Sequence, residues 1–329
     1  MKCDLENMIK GGKIHKKVEE YIKNIIQPEI KLYDLASQIE NKINDLTNYE
    51  KQNPLNSGVG FPTGLSINNC AAHWTPKINS IRKLKKTDVI KIDYGVHIEG
   101  SIIDAAFTYS FDDKYKNLLE ASRTSTDLAI KLARPDMLLS EIGKEIEENM
   151  CSYEIDIDNK IYKIKPVRTL CGHEINKYEI HGNKLIPNIY MKDYNKRIDN
   201  EEFFAVETFA TTGNGLTYED NDDCSHFMIN YNKKFDKKDI ISNSKGFYKL
   251  INKYYNTLAF CDRWLIGKIL GTIKLDNNKI NKYINNLEKT GVINKYPPIY
   301  DLEKESYIAQ FEETIYINEK KTEILSQLN

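Results

Sequence analysis

The stretch "DVIKIDYGVHIEGSIIDAAFTYSF", residues 88–111, is rich in β-forming residues and is broken by two glycines. This pattern predicts two strands joined as a hairpin. Each strand carries one aspartate, Asp93 or Asp104, although aspartate is disfavoured in strands. A turn at residues 98–99 would place the two carboxylates directly opposite each other, roughly 5 Å apart. Opposed like charges destabilise a sheet unless a cation lies between them. The alternative interpretation is a turn shifted by one residue and two unrelated surface aspartates.

Two further carboxylates occur inside apolar, β-prone runs. Glu207 lies in a strand predicted over residues 201–210, and Glu312 lies in one predicted over residues 307–317. Four carboxylates are too costly to bury together unless they are protonated or coordinate metal. Two divalent cations carry the charge that balances four carboxylates, which favours a dinuclear site in which both metals activate one water.

The remaining chain alternates helical and extended patterns. Apolar side chains at helical spacing predict helices over residues 12–26, from Pro28 to about 46, 113–133 and 140–150, and mostly helical structure over 246–295. The run "SYEIDIDNKIYKIKPV" predicts a second hairpin that turns at residues 158–159. These elements predict an α/β or α+β protein.

Composition excludes several classes of function. The 329 residues are 40% hydrophobic and 29% charged with a net charge of −1, which is ordinary for a globular protein and argues against nucleic-acid binding through a global positive field. No apolar run is long enough for a membrane span, and the N-terminus lacks a signal-peptide pattern. Six cysteines without a CxxC pair argue against a zinc ribbon. A cytoplasmic protein with free thiols is expected.

The chain resembles the type 2 methionine aminopeptidases. The resemblance covers nearly the whole chain and rests on the stretches "FPTGLSINNCAAHWTP", "KIDYGVHIEGSIIDAAFT", "CGHEINKYEIHG", "AVETF", "CSHFM", "LAFCDRW", "YPP" and "AQFEET". It implies a pita-bread fold, in which a curved antiparallel sheet is flanked by helices. Residues 1–230 and 300–329 would form the catalytic domain, and residues 231–299 the type 2 helical insertion. The implied activity removes the initiator methionine from nascent polypeptides when the second residue is small.

The resemblance also implies the roles of individual residues. Two divalent metal ions (Co, Mn, Fe or Zn) would be held by Asp93, Asp104, His173, Glu207 and Glu312. The implied catalytic residues are His73, His181 and Glu207, and the two histidines would contact substrate. The methionine pocket would be lined by Phe61, Leu170, Ile180, His226, Ala259, Tyr296 and Ile299. Sensitivity to fumagillin-type epoxides is a further implication. His15 and His97 match no family motif and are expected to be structural.

Some features depart from the family pattern. Cys171 stands where asparagine is common, and Cys70 has Tyr300 near the place of a second cysteine, so no disulfide is expected there. The lysine-rich N-terminal extension of many eukaryotic members is missing, so ribosome docking through it is not inferred. The expected partners are nascent N-termini, with the ribosome as a further candidate. A monomer without direct nucleic-acid or membrane binding is expected.

Two other functions compete with this interpretation. One is a different pita-bread peptidase, such as a prolidase or aminopeptidase P. The other is a non-catalytic binding protein of the same fold that has lost its metal ligands. The presence of all five implied ligands argues against the second, and the 105 residues between Glu207 and Glu312 favour the type 2 aminopeptidases over the first.

Overall fold

The computed structural model describes residues 1–230, 240, 242–265 and 277–328. Within these ranges the α-helices are α1 (Leu5–Ile25), α2 (Leu32–Thr47), α3 (Lys116–Leu132), α4 (Leu139–Cys151), α5 (Ser242–Tyr254), α6 (Asp262–Leu265) and α7 (Asn277–Lys289). Short 3₁₀ turns lie at Asp113–Tyr115 and Asn221–Asp223. The strands are β1 (Ser57–Val59), β2 (Gly64–Ile67), β3 (Cys70–Ala72), β4 (Val89–Ile98), β5 (Ser101–Ser110), β6 (Glu154–Ile157), β7 (Lys160–Lys163), β8 (Lys165–Pro166), β9 (Cys171–Glu174), β10 (Leu185–Pro187), β11 (Glu202–Thr211), β12 (Thr217–Glu219), β13 (His226–Ile229), β14 (Phe260–Cys261), β15 (Ile293–Lys295), β16 (Ile299–Asp301), β17 (Ile308–Ile317) and β18 (Thr322–Ile324).

The helices predicted over residues 12–26, from Pro28 to about 46, 113–133 and 140–150, and the long strands, are confirmed, with shifts at their ends. In the stretch 246–295, predicted to be mostly helical, the described residues hold part of α5, helices α6 and α7 and the short strands β14 and β15, and residues 266–276 lie outside the described residues. The first helix begins at Leu5, seven residues before the predicted start, because the Asp4 side chain accepts the N–H of Asn7 at 2.9 Å and caps the helix there. The glycines at positions 11 and 12 lower helix propensity and obscured this first turn in the sequence pattern. The 154–163 hairpin turns at residues 158–159 as predicted.

One large antiparallel sheet carries the centre of the protein. Among the described residues its strands follow the order β1-β4-β5-β17-β11-β9-β10, and β2, β8 and β18 pair at its sides. The β4–β5 hairpin turns at Glu99 and Gly100, where both residues have positive φ, 48° and 78°. Such a two-residue turn matches the twist of the flanking strands, and glycine adopts it without strain.

The predicted register of this hairpin was wrong. Asp93 pairs with Ala106, and Asp104 pairs with Gly95, so the two aspartates are diagonal neighbours and not directly opposed. Moving the turn by one residue shifts the pairing by two positions, and side chains alternate with a period of two. The two aspartates therefore remain on the same face, and the alternative of two unrelated surface positions is excluded.

The helices cover the face of the sheet opposite to the carboxylates. Ile92 of β4 packs into a core with α1 and α2, and Val206 of β11 packs into a core with α3 and α4. Because successive strand residues point to opposite faces, Asp93 and Glu207 point away from the helices. Glu312 lies on this second face as well, directly opposite Glu207.

A separate apolar cluster lies in the region of the predicted insertion. It joins strands β13, β14 and β15 to helices α5 and α7. Parts of the predicted insertion, residues 231–239, 241 and 266–276, lie outside the described residues. The division into a catalytic domain and an insertion stays a prediction. Across the described ranges, no helix is long and apolar enough to cross a membrane.

Candidate active site

A row of small and acidic residues crosses four adjacent strands. Asp93 on β4 pairs with Ala106 on β5, Ala106 pairs with Glu312 on β17, and Glu312 pairs with Glu207 on β11. Asp104 lies two residues from Ala106 on the same face of β5. The small alanine side chain leaves space between the carboxylates on either side. Directly opposed glutamates destabilise a sheet by themselves, so this row indicates a site selected for binding.

His173 reaches this row from strand β9, which pairs with β11 at Ala205. The neighbouring Gly172 permits the pairing, because a Cβ at this position would lie 2.5 Å from the carbonyl oxygen of Ala205. Nε2 of His173 lies 3.5 Å from Oδ2 of Asp104 and 3.9 Å from Oε1 of Glu207. The glycine beside the histidine is thus a condition for bringing the imidazole to the carboxylates.

The predicted metal ligands converge. Ligand atoms of Asp104, His173 and Glu312 all lie within 4.8 Å of one another. Glu207 and Asp93 line the same cavity. Burial, followed by the nearby carboxylate of Asp104, raises the pKa of Asp93, Glu207 and Glu312 well above the usual range.

These residues fit divalent cations. Oδ1 of Asp93 is buried without a hydrogen-bond partner in the described structure, and buried polar atoms are rarely left unsatisfied. The concentrated negative charge needs cations to be stable at neutral pH. One imidazole and four carboxylates suit Mn, Fe, Co or Zn.

Gln310 is a residue of the site that the sequence reasoning missed. Its Nε2 donates to Oε2 of Glu207 and to Oε2 of Glu312, both at 3.2 Å. It precedes Glu312 by two residues in β17 and therefore faces the same side of the sheet. The two-residue spacing between Gln310 and Glu312 is visible in "AQFEET" and could have identified Gln310 as a residue of the site. Gln310 orients both glutamates.

Neutral imidazoles form a second wall beside the carboxylates. Burial lowers the pKa of His73 to about 4 and that of His226 to about 3, and it holds the pKa of His181 well below its usual value. These three rings surround Tyr296, with ring centroids 5.7 to 5.9 Å from the tyrosine ring. His181 also lies edge-on to His173, with ring centroids 4.4 Å apart. At neutral pH all three imidazoles outside the ligand set are uncharged.

The two walls enclose a cavity of about 70 Å³. Of the residues predicted for the methionine pocket, the cavity is lined by Phe61, Leu170, Ile180, His226, Ala259 and Tyr296. Ile299 is not among the lining residues; it pairs with Ala72 and packs against the apolar cluster that contains Ala72 and Phe209. Lining residues that the sequence reasoning missed are Ala72, Phe209 and Met228. The lining therefore combines apolar and aromatic side chains with the carboxylates and imidazoles.

Cys70 lies close to this wall but is closed off from it. Its side chain is 1% exposed, and burial raises the pKa of the thiol to about 11. Cys70 pairs with Tyr300 across β3 and β16. Tyr300 is the residue that the sequence analysis found near the place of a second cysteine. The thiol is therefore protonated and inaccessible at neutral pH.

Comparisons with known proteins agree with this geometry. Residues 6–231 match the model of metallopeptidase family M24. Methionine aminopeptidase 2 of Kluyveromyces lactis is 39% identical over 98% of this chain and 75% of the relative. Methionine aminopeptidase 2 of Komagataella phaffii is also 39% identical, over 97% of this chain and 68% of the relative.

Solved structures show the same fold. A thermophilic Arx1 superposes with a TM-score of 0.81 at 15% identity, over 98% of this chain and 90% of the other. Methionine aminopeptidase from Thermotoga maritima superposes with a TM-score of 0.64 at 19% identity, over 98% and 96%. The predicted pita-bread fold is confirmed. The chain belongs to metallopeptidase family M24 and, within it, to the methionine aminopeptidase 2 group, and it is a metal-dependent aminopeptidase.

Proposed function

We propose that the enzyme removes the initiator methionine from nascent chains whose second residue is small, using two divalent cations. The proposed ligands are Asp93, Asp104, His173, Glu207 and Glu312. The observation that carries the proposal is that all five residues line one small, largely apolar cavity, in which ligand atoms of Asp104, His173 and Glu312 lie within 4.8 Å of one another. When bound, the cations supply Lewis acidity and lower the pKa of water.

The chain's own residues supply the remaining chemistry. Glu207 is the carboxylate proposed to move a proton from water to the leaving amine. Gln310 holds this carboxylate in place by donating a hydrogen bond to its Oε2. The neutral imidazoles of His73 and His181 border the reacting end of the cavity and are suited to hydrogen-bond the scissile amide and the developing oxyanion. None of them adds positive charge beside the cation site.

The apolar end of the cavity selects the first residue of the substrate. Its lining combines phenylalanine, leucine, isoleucine, alanine and methionine side chains with the imidazole of His226. Such walls suit a long unbranched thioether, which is flexible and polarisable. The proposed preference for a small second residue follows from the crowding of His181 and the carboxylate row at the other end.

A peptide-release assay tests this function. Purified enzyme is stripped of metal, reloaded separately with Mn, Fe, Co or Zn, and offered Met-Ala-, Met-Lys- and X-Pro-containing peptides of equal length. We expect release of methionine from the Met-Ala peptide alone. Comparable rates with Met-Lys would show that the second position is not restricted. Preferential cleavage of the X-Pro peptide would instead assign a prolidase or aminopeptidase P activity.

The site also bears on the competing non-catalytic function. A relative that serves only in binding needs no buried carboxylate row, and the row is intact here. We further propose that the enzyme works in the cytoplasm as a monomer, where its substrates emerge from the ribosome. Co-sedimentation with ribosomes during translation and analytical ultracentrifugation test these two points.

A further inference from the structure

A second cavity of about 180 Å³ lies close to the proposed active site and shares no lining residue with it. Its wall is formed by helix α2 and the loop that follows it, strands β1 and β4, and residues 254–264. Leu258 lines this cavity, whereas its neighbour Ala259 lines the proposed methionine pocket. The two cavities therefore lie on either side of one backbone segment.

His97 presents a hydrogen-bond donor to this cavity. Its side chain is 1% exposed, and Nδ1 accepts the N–H of Gly100 at 3.4 Å. Burial lowers the pKa of His97 to about 4, so the ring is neutral at pH 7. A neutral imidazole has a single N–H, and because Nδ1 is the acceptor, the proton resides on Nε2. In the described part of the chain this Nε2–H has no hydrogen-bond partner. Because His97 lines the cavity, this N–H is available to a ligand oxygen inside it.

The walls of the cavity are aromatic. The rings of Tyr255 and Trp264 stack with centroids 5.7 Å apart, and the partly exposed Tyr49 also lines the cavity. Flat aromatic surfaces favour a planar aromatic ligand. A cavity of roughly 150 Å³ holds a benzene molecule, so this volume suits one substituted ring.

The charged groups of the wall do not favour binding of a charged ligand. The carboxylate of Glu40 accepts two hydrogen bonds from the guanidinium of Arg263 and one from Nε1 of Trp264 at 2.8 Å. Its charge is thus compensated inside the protein. The other charged residue of the lining, Lys51, is exposed to solvent. An anion in the cavity would therefore meet only a solvated ammonium group, which contributes little, and a cation would meet a carboxylate that is already paired.

We propose that this cavity is a second ligand site, which binds a small neutral molecule with one aromatic ring and a group that accepts a hydrogen bond from Nε2 of His97. This proposal is independent of the catalytic function. A carbonyl or ether oxygen next to the ring meets the requirement. The ring would lie against Tyr255 and Trp264.

Two ligands of nearly equal shape test the proposal. Acetophenone carries a carbonyl acceptor, whereas isopropylbenzene has a methyl group in its place. Their dissociation constants are measured by ligand-observed NMR on the full chain. We expect acetophenone to bind about tenfold more tightly, the scale of one hydrogen bond. In the His97→Leu variant this difference should disappear, while isopropylbenzene binding is retained.

A cavity-filling variant locates the binding site. Val59 lines the second cavity and not the first, and Val59→Phe should reduce the affinity for both ligands at least tenfold. Ile81→Phe adds the same ring at a position that is 84% exposed and should leave binding unchanged. Circular dichroism and thermal melts confirm that each variant is folded. Equal affinity for the two ligands in the native protein, no binding of either, or binding that survives in Val59→Phe would overturn the proposal.

Discussion

Removing the metal ions should destabilise the protein in a manner that depends on pH. A cation present at a hundred times its dissociation constant stabilises the folded state by about 2.7 kcal/mol. For 329 residues, the entropy of unfolding near the melting temperature is about 0.7 kcal/mol/K. Each cation should therefore raise the melting temperature by about 4 °C, and stripping two should lower it by about 8 °C.

The sign of the pH dependence follows from the buried carboxylates. In the metal-free protein the pKa values of Asp93, Glu207 and Glu312 are raised above their unfolded values, chiefly by burial. Groups of this kind contribute stability that is fully present below the unfolded pKa of about 4 and is lost as the pH rises through the folded pKa. The metal-free protein should therefore melt at a lower temperature at pH 8 than at pH 6.

Differential scanning calorimetry at pH 6 and pH 8 measures both effects, with metal content verified in each sample. In the metal-free Asp104→Asn variant the melting temperature should depend less on pH. This variant lacks the carboxylate that raises the pKa values of Asp93, Glu207 and Glu312. The exposed Glu319→Gln variant is the matched control and should behave like the native protein. A melting temperature that is unchanged by verified metal removal, or a loss that is equal at both pH values, would refute the reasoning.

Three further perturbations probe separate parts of the structure. Glu207→Gln keeps the side-chain size but removes the proton carrier, so kcat for a Met-Ala peptide should fall at least about 10²-fold; near-normal turnover would reassign the role. A hydrophobic epoxide of the fumagillin type should modify His73, which is neutral at pH 7, and not the buried Cys70, and mass spectrometry of the peptide spanning both residues tests this. Arg263→Met leaves the buried carboxylate of Glu40 unpaired and should cost about 3–5 kcal/mol in urea unfolding, whereas pairing it with Glu40→Leu should restore most of the loss.

The sequence could predict which face of the hairpin carries the aspartates but not their exact pairing. Strand side chains alternate with a period of two, so any two-residue turn in this stretch keeps Asp93 and Asp104 on one side. The position of the turn depends on which two residues adopt positive φ. Glu99 and Gly100 do so, one residue later than the pattern suggested. Local periodicity carries no information about that choice.

The pairing of Glu207 with Glu312, in contrast, could not be predicted from any local pattern in the sequence. Glu207 and Glu312 are 105 positions apart in the sequence, yet they are direct partners across β11 and β17. Each strand was recognisable from its apolar pattern. Their adjacency is a non-local property that is fixed when the whole sheet assembles. The unusual strand carboxylates favoured a shared metal site, but the sequence pattern could not predict that these two residues are direct partners.

The protonation state of the imidazole wall depends on assembly in the same way. His73, His181 and His226 come from separate segments, and they meet around Tyr296. An isolated histidine would be partly charged at pH 6.5, its ordinary pKa. Burial within this wall removes the charge, because the loss of hydration lowers each pKa by more than the nearby carboxylate of Asp104 raises that of His73. The sequence therefore supplies the residue types, whereas the packing makes three neutral hydrogen-bonding groups available beside a strongly negative row.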